Sequence, residues 1–410
     1  MRATRLAALV LLVGLLAGLL VLPFVGCSKD SSPDGASTAD ESFTEGVSYL
    51  EDEMADVDLS EPPWQWDVDM EEANAYFEDA LDVNPDHCGA LLLAAVTRLV
   101  MSVQDEELGE IMDDLFPEDY RSDGRPGSFL FRAFQRPDIL AAARRLREQG
   151  RDELPFSELQ DYIESHVVPA LAYADAKMDA FENQDCVVVL EIEIEEKREV
   201  VEIEIDATDV YLLHGPLDVL QCTLLAMISY NMDVDEGQTL QDLMDSDPDF
   251  LALRPGGHMP AAFDELTEMY EHLGAAAVAM ANETDPQDND VFTNYEDVGH
   301  VPLGAGASDT LQMIADAIED GLVDGVDFNP YEDFDEDAPD IDIHLDIEEM
   351  FTDPLNPITD YFPAHTWANP ESMVVTEPID MPDPTMSGIL PGMTDQDWGL
   401  LYDWMNDDRW

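Results

Sequence analysis

Apolar residues recur along this chain with two periods, one near 3.6 residues and one of 2, and their order predicts the elements. An apolar run from Leu6 to Leu22, broken only by glycines, opens the sequence. Phe43, Val47 and Leu50 then lie at helical spacing, and Pro62-Pro63 breaks that pattern. Ala73, Phe77, Ala80 and Pro85 follow at intervals of four, three and five. A long helix is expected from Phe156, with Leu159, Ile163, Val167, Leu171, Ala174, Met178 and Phe181 on one face and Pro169 placed to kink it. Val187–Ile194 and Val200–Ile205 read as a hairpin, because isoleucine and valine alternate there with glutamate. Two strands alone are marginal, so their aliphatic face must lie on other elements.

Three further helices are expected. One follows Gly215, with Pro216 in its first turn and Leu217, Leu220, Leu224, Met227 and Ile228 as its stripe. The next runs from Pro260 to Met280 through Phe263, Leu266, Tyr270, Leu273 and Ala277. The last begins at Asp309, where Gln312 completes a capping box, and uses Leu311, Ile314 and Ile318. Ile341, Ile343, Leu345 and Ile347 alternate with polar residues and predict a strand. The Pro- and aromatic-rich remainder to Trp410 reads as an irregular covering layer. The fold class is mainly α with a small β-sheet (α+β), with a helical-repeat-like hairpin near the N-terminus.

Arg2 and Arg5 ahead of the Leu6–Leu22 run make a charged start and an apolar stretch. Phe24-Val25-Gly26-Cys27, which ends it, resembles the bacterial lipobox. That resemblance implies cleavage before Cys27 and lipid attachment to it. A membrane-spanning anchor over Leu6–Val25 is the alternative, and both place the body outside the cytoplasm. Ser28 through Thr38 is small, polar and without apolar period, as a tether is. In such lipoproteins Ser28, rather than Asp, implies the outer membrane. The expected organisation is a signal peptide over 1–26, a flexible tether over 27–42, a helical repeat-like region over 43–150, and an α-rich domain with a small sheet over 151–410.

The Ala73, Phe77, Ala80 and Pro85 pattern resembles the second helix of a tetratricopeptide repeat and the turn after it, with Leu91, Ala94 and Ala95 where the next first helix packs. Small residues let helices approach, the aromatic fills the gap, and the proline stops the helix. The resemblance spans Val57 to Leu99, although Pro62 and Pro63 fall where its preceding helix belongs. It implies a stack whose surface binds partner segments.

Composition changes the picture through charge: 93 acidic residues face 17 basic ones, a net −76. Nucleic acid is excluded as a partner, since its phosphates are repelled, and the excess reads as adaptation to salt. Cys88, Cys186 and Cys222 match no metal or redox spacing, so export allows one disulfide among them and leaves the pair open.

Candidate chemistry is sparse. Eight arginines lie between Arg121 and Arg151, and Arg132, Arg136, Arg144, Arg145 and Arg147 are candidate anion ligands, with carboxylate pairing the favoured role. Asp245, Asp247 and Asp249 repeat the first ligand spacing of a calcium loop, but Phe250 stands where the turn needs Gly and Gly256 where it needs Glu. Asp333, Asp335 and Asp337 repeat it again without the turn. The histidines show no paired helical spacing, Gly304–Ser308 reads as a linker, and no catalytic motif or cofactor is expected. The chain is therefore expected to be an envelope-anchored binding or scaffold protein with a protein or peptide partner. A solute- or glycan-binding lipoprotein using Trp367, Trp398, Trp404 and Trp410 is the first alternative, and a carboxylate-based hydrolase the second.

Overall fold

The computed structural model describes residues 36–54, 66, 68–102, 104, 160–184, 186–194, 199–232, 240–282, 292–293, 301–302, 307–328, 343–369 and 372–405. They are mainly helical, and the strands among them form four two-stranded sheets. The described residues fall into two compact units, drawn from 1–138, 162–221 and 268–315, and from 139–161, 222–267 and 316–410.

In the first unit, α1 (Ala36–Met54), α2 (Met70–Val83) and α3 (Cys88–Met101) stack in chain order, and α3 lies in turn on α4 (Val168–Glu182). Asp69 caps α2 by accepting from the Glu72 N–H at 3.1 Å. The His87 imidazole caps α3 through Nδ1, which accepts from the Ala90 N–H at 3.1 Å. Nearly every residue from Gly89 to Val100 is buried, as expected of a helix apolar on all sides. Phe43, Val47 and Leu50 of α1 are buried, as are Ala73, Phe77 and Ala80 of α2, while Pro85 stands in the turn that ends α2. The Asn74 amide donates to the Ala94 carbonyl and to Thr97 Oγ1, at 3.1 and 2.9 Å, which satisfies a buried polar group across the α2–α3 contact.

The described helix ahead of α2 is α1, which ends at Met54, while Pro62 and Pro63 lie outside the described residues. α1 starts at Ala36, inside the stretch expected to be tether, because Ala39 is fully buried and draws that segment against the neighbouring helices. Cys88 and Cys186 form the disulfide, at 2.04 Å, and Cys222 is a buried free thiol. The bond joins residues 98 apart, and a closed loop of that size stabilises by roughly 4–5 kcal/mol if the effect is on chain entropy.

The long helix predicted from Phe156 begins among the described residues at Gln160 and buries Ile163, Leu171, Ala174, Met178 and Phe181. Ahead of Pro169 it widens into a π turn over Ile163–Val167, closed by the Val168 N–H on the Ile163 carbonyl. Proline lacks the N–H an α turn needs and its ring crowds the preceding turn, so the wider turn relieves both. The hairpin forms within a residue of expectation: β1 (Val188–Ile194) pairs antiparallel with β2 (Glu199–Ile205), from Val188 opposite Ile205 to Ile194 opposite Glu199.

α5 (Ala207–Ile228) starts well before Gly215 and keeps Pro216 inside it, which corrects the expected helix start. Asp206 supplies the start instead, its Oδ1 accepting from the Thr208 and Asp209 N–H groups at 2.7 and 3.2 Å. Gly215 is a contact point: a Cβ there sits 3.3 Å from the Leu273 side chain. α5 is long and apolar enough to cross a membrane by length and composition, yet half of its apolar window is buried and it carries buried Asp209, His214 and Asp218.

α6 (Leu240–Ser246) and α7 (Met259–Asn282) follow. The most buried residues of α7 are Met259, Ala262, Met269, Ala276 and Ala277; Ala277 belongs to the predicted stripe, whose Phe263, Leu266, Tyr270, Leu273 and Met280 are half-buried. The small β3 (Phe292–Thr293) and β4 (Val301–Pro302) pair in parallel. α8 (Ala307–Asp324) begins two residues before Asp309, which therefore falls within the helix and not at its start; Ala315 and Leu322 are buried and Ile314 is exposed.

In the second unit β5 (Val326–Phe328) pairs antiparallel with β6 (Ile343–Leu345). The predicted strand ends early because Asp346 caps α9 (Ile347–Thr352), accepting from the Glu349 N–H at 2.9 Å. The C-terminal segment is more regular than expected. It holds a 3-10 turn over Ile358–Tyr361, the hairpin of β7 (His365–Asn369) and β8 (Ser372–Val375), and α10 (Asp395–Met405). Ile343 and Met393 form a small core there with Leu390, Trp398, Leu400 and Leu401.

Gly46 sets the spacing of α1 and α2, since a Cβ there stands 2.8 Å from both Phe77 Cε1 and Tyr76 Cβ. Alanine in place of a helical glycine stabilises by about 1 kcal/mol, whereas overpacking costs about 1–3 kcal/mol. Because Tyr76 Cβ moves only with its backbone, Gly46→Ala should lower the urea midpoint, and Gly46→Ala with Phe77→Leu should recover part of the loss. A midpoint raised by Gly46→Ala alone contradicts this close contact.

Candidate functional site

Within the first unit three helices carry acids at helical spacing, and two of them add a histidine. α4 presents Asp175, Asp179 and Glu182, α5 presents His214 and Asp218, and α7 presents Glu268 and His272. Residues four apart share a helix face, and these three faces meet at the imidazole of His214.

His214 is fully buried. Its Nε2 lies 2.6 Å from Asp175 Oδ1 and its Nδ1 lies 3.0 Å from Glu182 Oε1. Asp218, also buried, has Oδ1 3.9 Å from His214 Nε2 and Oδ2 2.8 Å from His272 Nδ1. The two imidazoles stack with centroids 3.8 Å apart. Asp175 and His272 are partly covered and Asp179 is exposed, so the cluster runs from the interior to the surface.

Burial opposes charge on His214, but hydrogen bonds to Asp175 and Glu182 and the negative charge of Asp218 and Glu182 outweigh it. Its pKa is raised to about 10. His272 is raised in the same way, burial being overcome chiefly by the Asp218 hydrogen bond. Burial raises the Asp218 carboxyl against the pull of both imidazoles. Glu268, at the solvent edge, is raised by partial burial and then by Asp175 and Asp218. At neutral pH His214 is therefore an imidazolium donating from both nitrogens.

Two overlapping sets of side chains here bring ligand atoms within 4.8 Å of one another: Asp179, Glu182, His214 and His272, and Asp175, His214 and Asp218. The sequence alone marks none of them as a site residue. Paired-histidine spacing passes over them, because each helix contributes one histidine at most and every helix is rich in carboxylates. The available signal was His214 itself, a titratable residue in the apolar stretch of α5 with Asp218 one turn on.

A second feature lies on α1 and α2. An open groove of about 670 Å³ runs between them, lined by Asp40, Glu41, Glu45, Asp52, Tyr49 and Tyr76 among others. The two tyrosine rings are 6.0 Å apart.

Of the predicted site residues, Ala73, Phe77 and Ala80 come together with Leu91, Ala94 and Ala95 in the buried part of the helical stack. Asp245, Asp247 and Asp249 do not converge on a shared ion. Asp245 Oδ1 faces the Trp367 indole N–H at 3.1 Å and His365 Nε2 at 3.5 Å, while Asp247 Oδ1 accepts from the Asp249 N–H at 2.9 Å. Trp398 donates to the Pro384 carbonyl at 2.8 Å and lies in the small C-terminal core. Cys27, Arg132, Arg136, Arg144, Arg145, Arg147, Asp333, Asp335, Asp337 and Trp410 lie outside the described residues, as does the side chain of Trp404. The Cys222 thiol is pushed up to about 12 by burial and by Glu265, which leaves it unreactive. Comparison with family models, curated proteins and solved structures finds no match to this chain.

Removing the imidazolium leaves Asp175, Glu182 and Asp218 facing one another without a cation. In chelator-treated protein His214→Leu should cost about 3–5 kcal/mol at pH 6, the usual penalty for breaking a buried pair. The folded pKa lies above the unfolded 6.5, so this stability is fully present below pH 6.5 and is lost as pH rises through about 10. Denaturant midpoints across pH 6–10 should show the gap between wild type and variant closing; a constant gap means the loss is packing alone.

Proposed function

We propose that this chain is a lipid-anchored protein of the cell envelope, at the outer membrane, whose N-terminal helical stack holds a basic segment of another envelope protein. The observation that carries the reading is the groove between α1 and α2, where four carboxylates and two tyrosine rings line one open surface. Lysine and arginine are attracted by such carboxylates, and their charged heads also favour aromatic faces. An extended segment can lie along an open groove, whereas a small solute needs a cavity that encloses most of its surface. The tetratricopeptide-like spacing of Ala73, Phe77, Ala80 and Pro85 agrees with a stack used for binding. The Cys88–Cys186 disulfide suits an oxidising compartment, in keeping with export and the Cys27 anchor.

The test is photo-cross-linking in whole cells from a probe at Ser48, with the linked species identified by mass spectrometry. The expected product is an envelope protein joined through a Lys/Arg-rich segment, lost in the triple variant Glu41→Lys, Glu45→Lys, Asp52→Lys, and recovered from the soluble fraction when Cys27→Ala removes the anchor. Recovery of lipid or glycan alone, or of a partner indifferent to the triple variant, overturns the binding reading. Native protein that retains residues before Cys27 overturns the anchor.

A further inference from the structure

His214 and His272 share one feature of metal-bound histidines, a carboxylate behind the ring. Each has one ring nitrogen fixed by a carboxylate behind it, His214 Nε2 by Asp175 at 2.6 Å and His272 Nδ1 by Asp218 at 2.8 Å. A carboxylate in that position sets the tautomer and strengthens the opposite nitrogen as a donor. The opposite nitrogens are His214 Nδ1 and His272 Nε2. His214 Nδ1 is 3.0 Å from Glu182 Oε1, and Asp179, one turn before Glu182, completes a set of four ligand atoms within 4.8 Å of one another.

We propose that Asp179, Glu182, His214 and His272 form a binding site for one divalent first-row transition metal ion of the zinc class, with Asp175 and Asp218 orienting the two imidazoles. Two imidazole nitrogens and two carboxylates suit zinc or its neighbours, whereas calcium and magnesium call for an oxygen shell. Zinc–ligand distances of roughly 2.0–2.2 Å put tetrahedral ligands about 3.3–3.6 Å apart, so binding draws these side chains inward by an ångström or so and turns the half-buried His272 ring out of its stack on His214. Binding displaces to solvent the proton that His214 Nδ1 otherwise donates to Glu182, and two neutral imidazoles with two carboxylates then balance the ion's two charges. The overlapping set of Asp175, His214 and Asp218 offers only one nitrogen and uses the carboxylates that hold the rings, so it is the weaker site. Asp179 is exposed and gives the ion a way in from solvent.

The experiment is equilibrium dialysis of the full chain in detergent against Zn2+ with excess Ca2+ and Mg2+ and high salt, which saturate a surface this acidic. One Zn2+ should be retained per chain, with a raised melting temperature and, for Co2+ in its place, the intense visible absorption of four-coordinate cobalt. Glu182→Gln and His272→Gln should each weaken retention at least tenfold, and Asp218→Asn by roughly 10–100-fold, while Glu41→Gln with Glu45→Gln leaves it unchanged. X-ray absorption of the zinc-loaded wild type needs no variant and should show two imidazoles at the metal. Failure to retain zinc in the presence of Ca2+ and Mg2+, indifference to both ligand variants, or an all-oxygen shell each overturns the site.

Discussion

Asp175, Glu182 and Asp218 converge on one interior point from α4 and α5, and three carboxylates cannot remain ionised there without a cation among them. His214 meets that constraint because its two nitrogens donate in opposite directions, one to Asp175 and one to Glu182. His272, stacked against it and held by Asp218, adds α7 to the same junction. The side chains that join these helices are thus polar at the centre, and Gly215 lets α5 approach α7 closely beside it. A junction of this kind specifies one arrangement of helices, since a rotation of any of them strands a buried charge.

The N-terminal stack is held differently. There, α1, α2 and α3 meet through small residues and aromatic rings, with Phe43 and Phe77 centroids 5.9 Å apart and Gly46 and Gly89 beneath them. Basic residues are placed where they join elements: Lys177 of α4 reaches Glu78 of α2 at 3.2 Å and lies over the Tyr173 ring. Partly exposed pairs of that sort contribute little singly. The apolar contacts and the disulfide contribute more, which leaves the outer carboxylates of α1 available to line a groove.

Much of this architecture was legible in the sequence wherever one face is apolar and the other is not. The β1–β2 hairpin, α7 and the helix through Leu171 and Phe181 lie within a residue or a few of their expected positions. Boundaries failed where two signals competed: Gly215-Pro216 looks like a helix start, but the glycine serves a close contact and Asp206 provides the cap. Ala39 hid the true start of α1, because small residues serve a tether and a close helix contact equally well. The His214 junction was illegible for a different reason. Its members are spread over three helices, and among 93 acidic residues no single carboxylate stands out. Burial is what distinguishes Asp218 from the rest, and burial belongs to the fold.

Nitrogen NMR of the His214 imidazole in chelator-treated protein at pH 8 tests the charged junction most directly. The expected result is an imidazolium with both ring nitrogens protonated and slow to exchange, each coupled to a carboxylate. A neutral ring with a single protonated nitrogen at that pH contradicts it, because the buried carboxylates then lack the cation on which the association of α4, α5 and α7 depends.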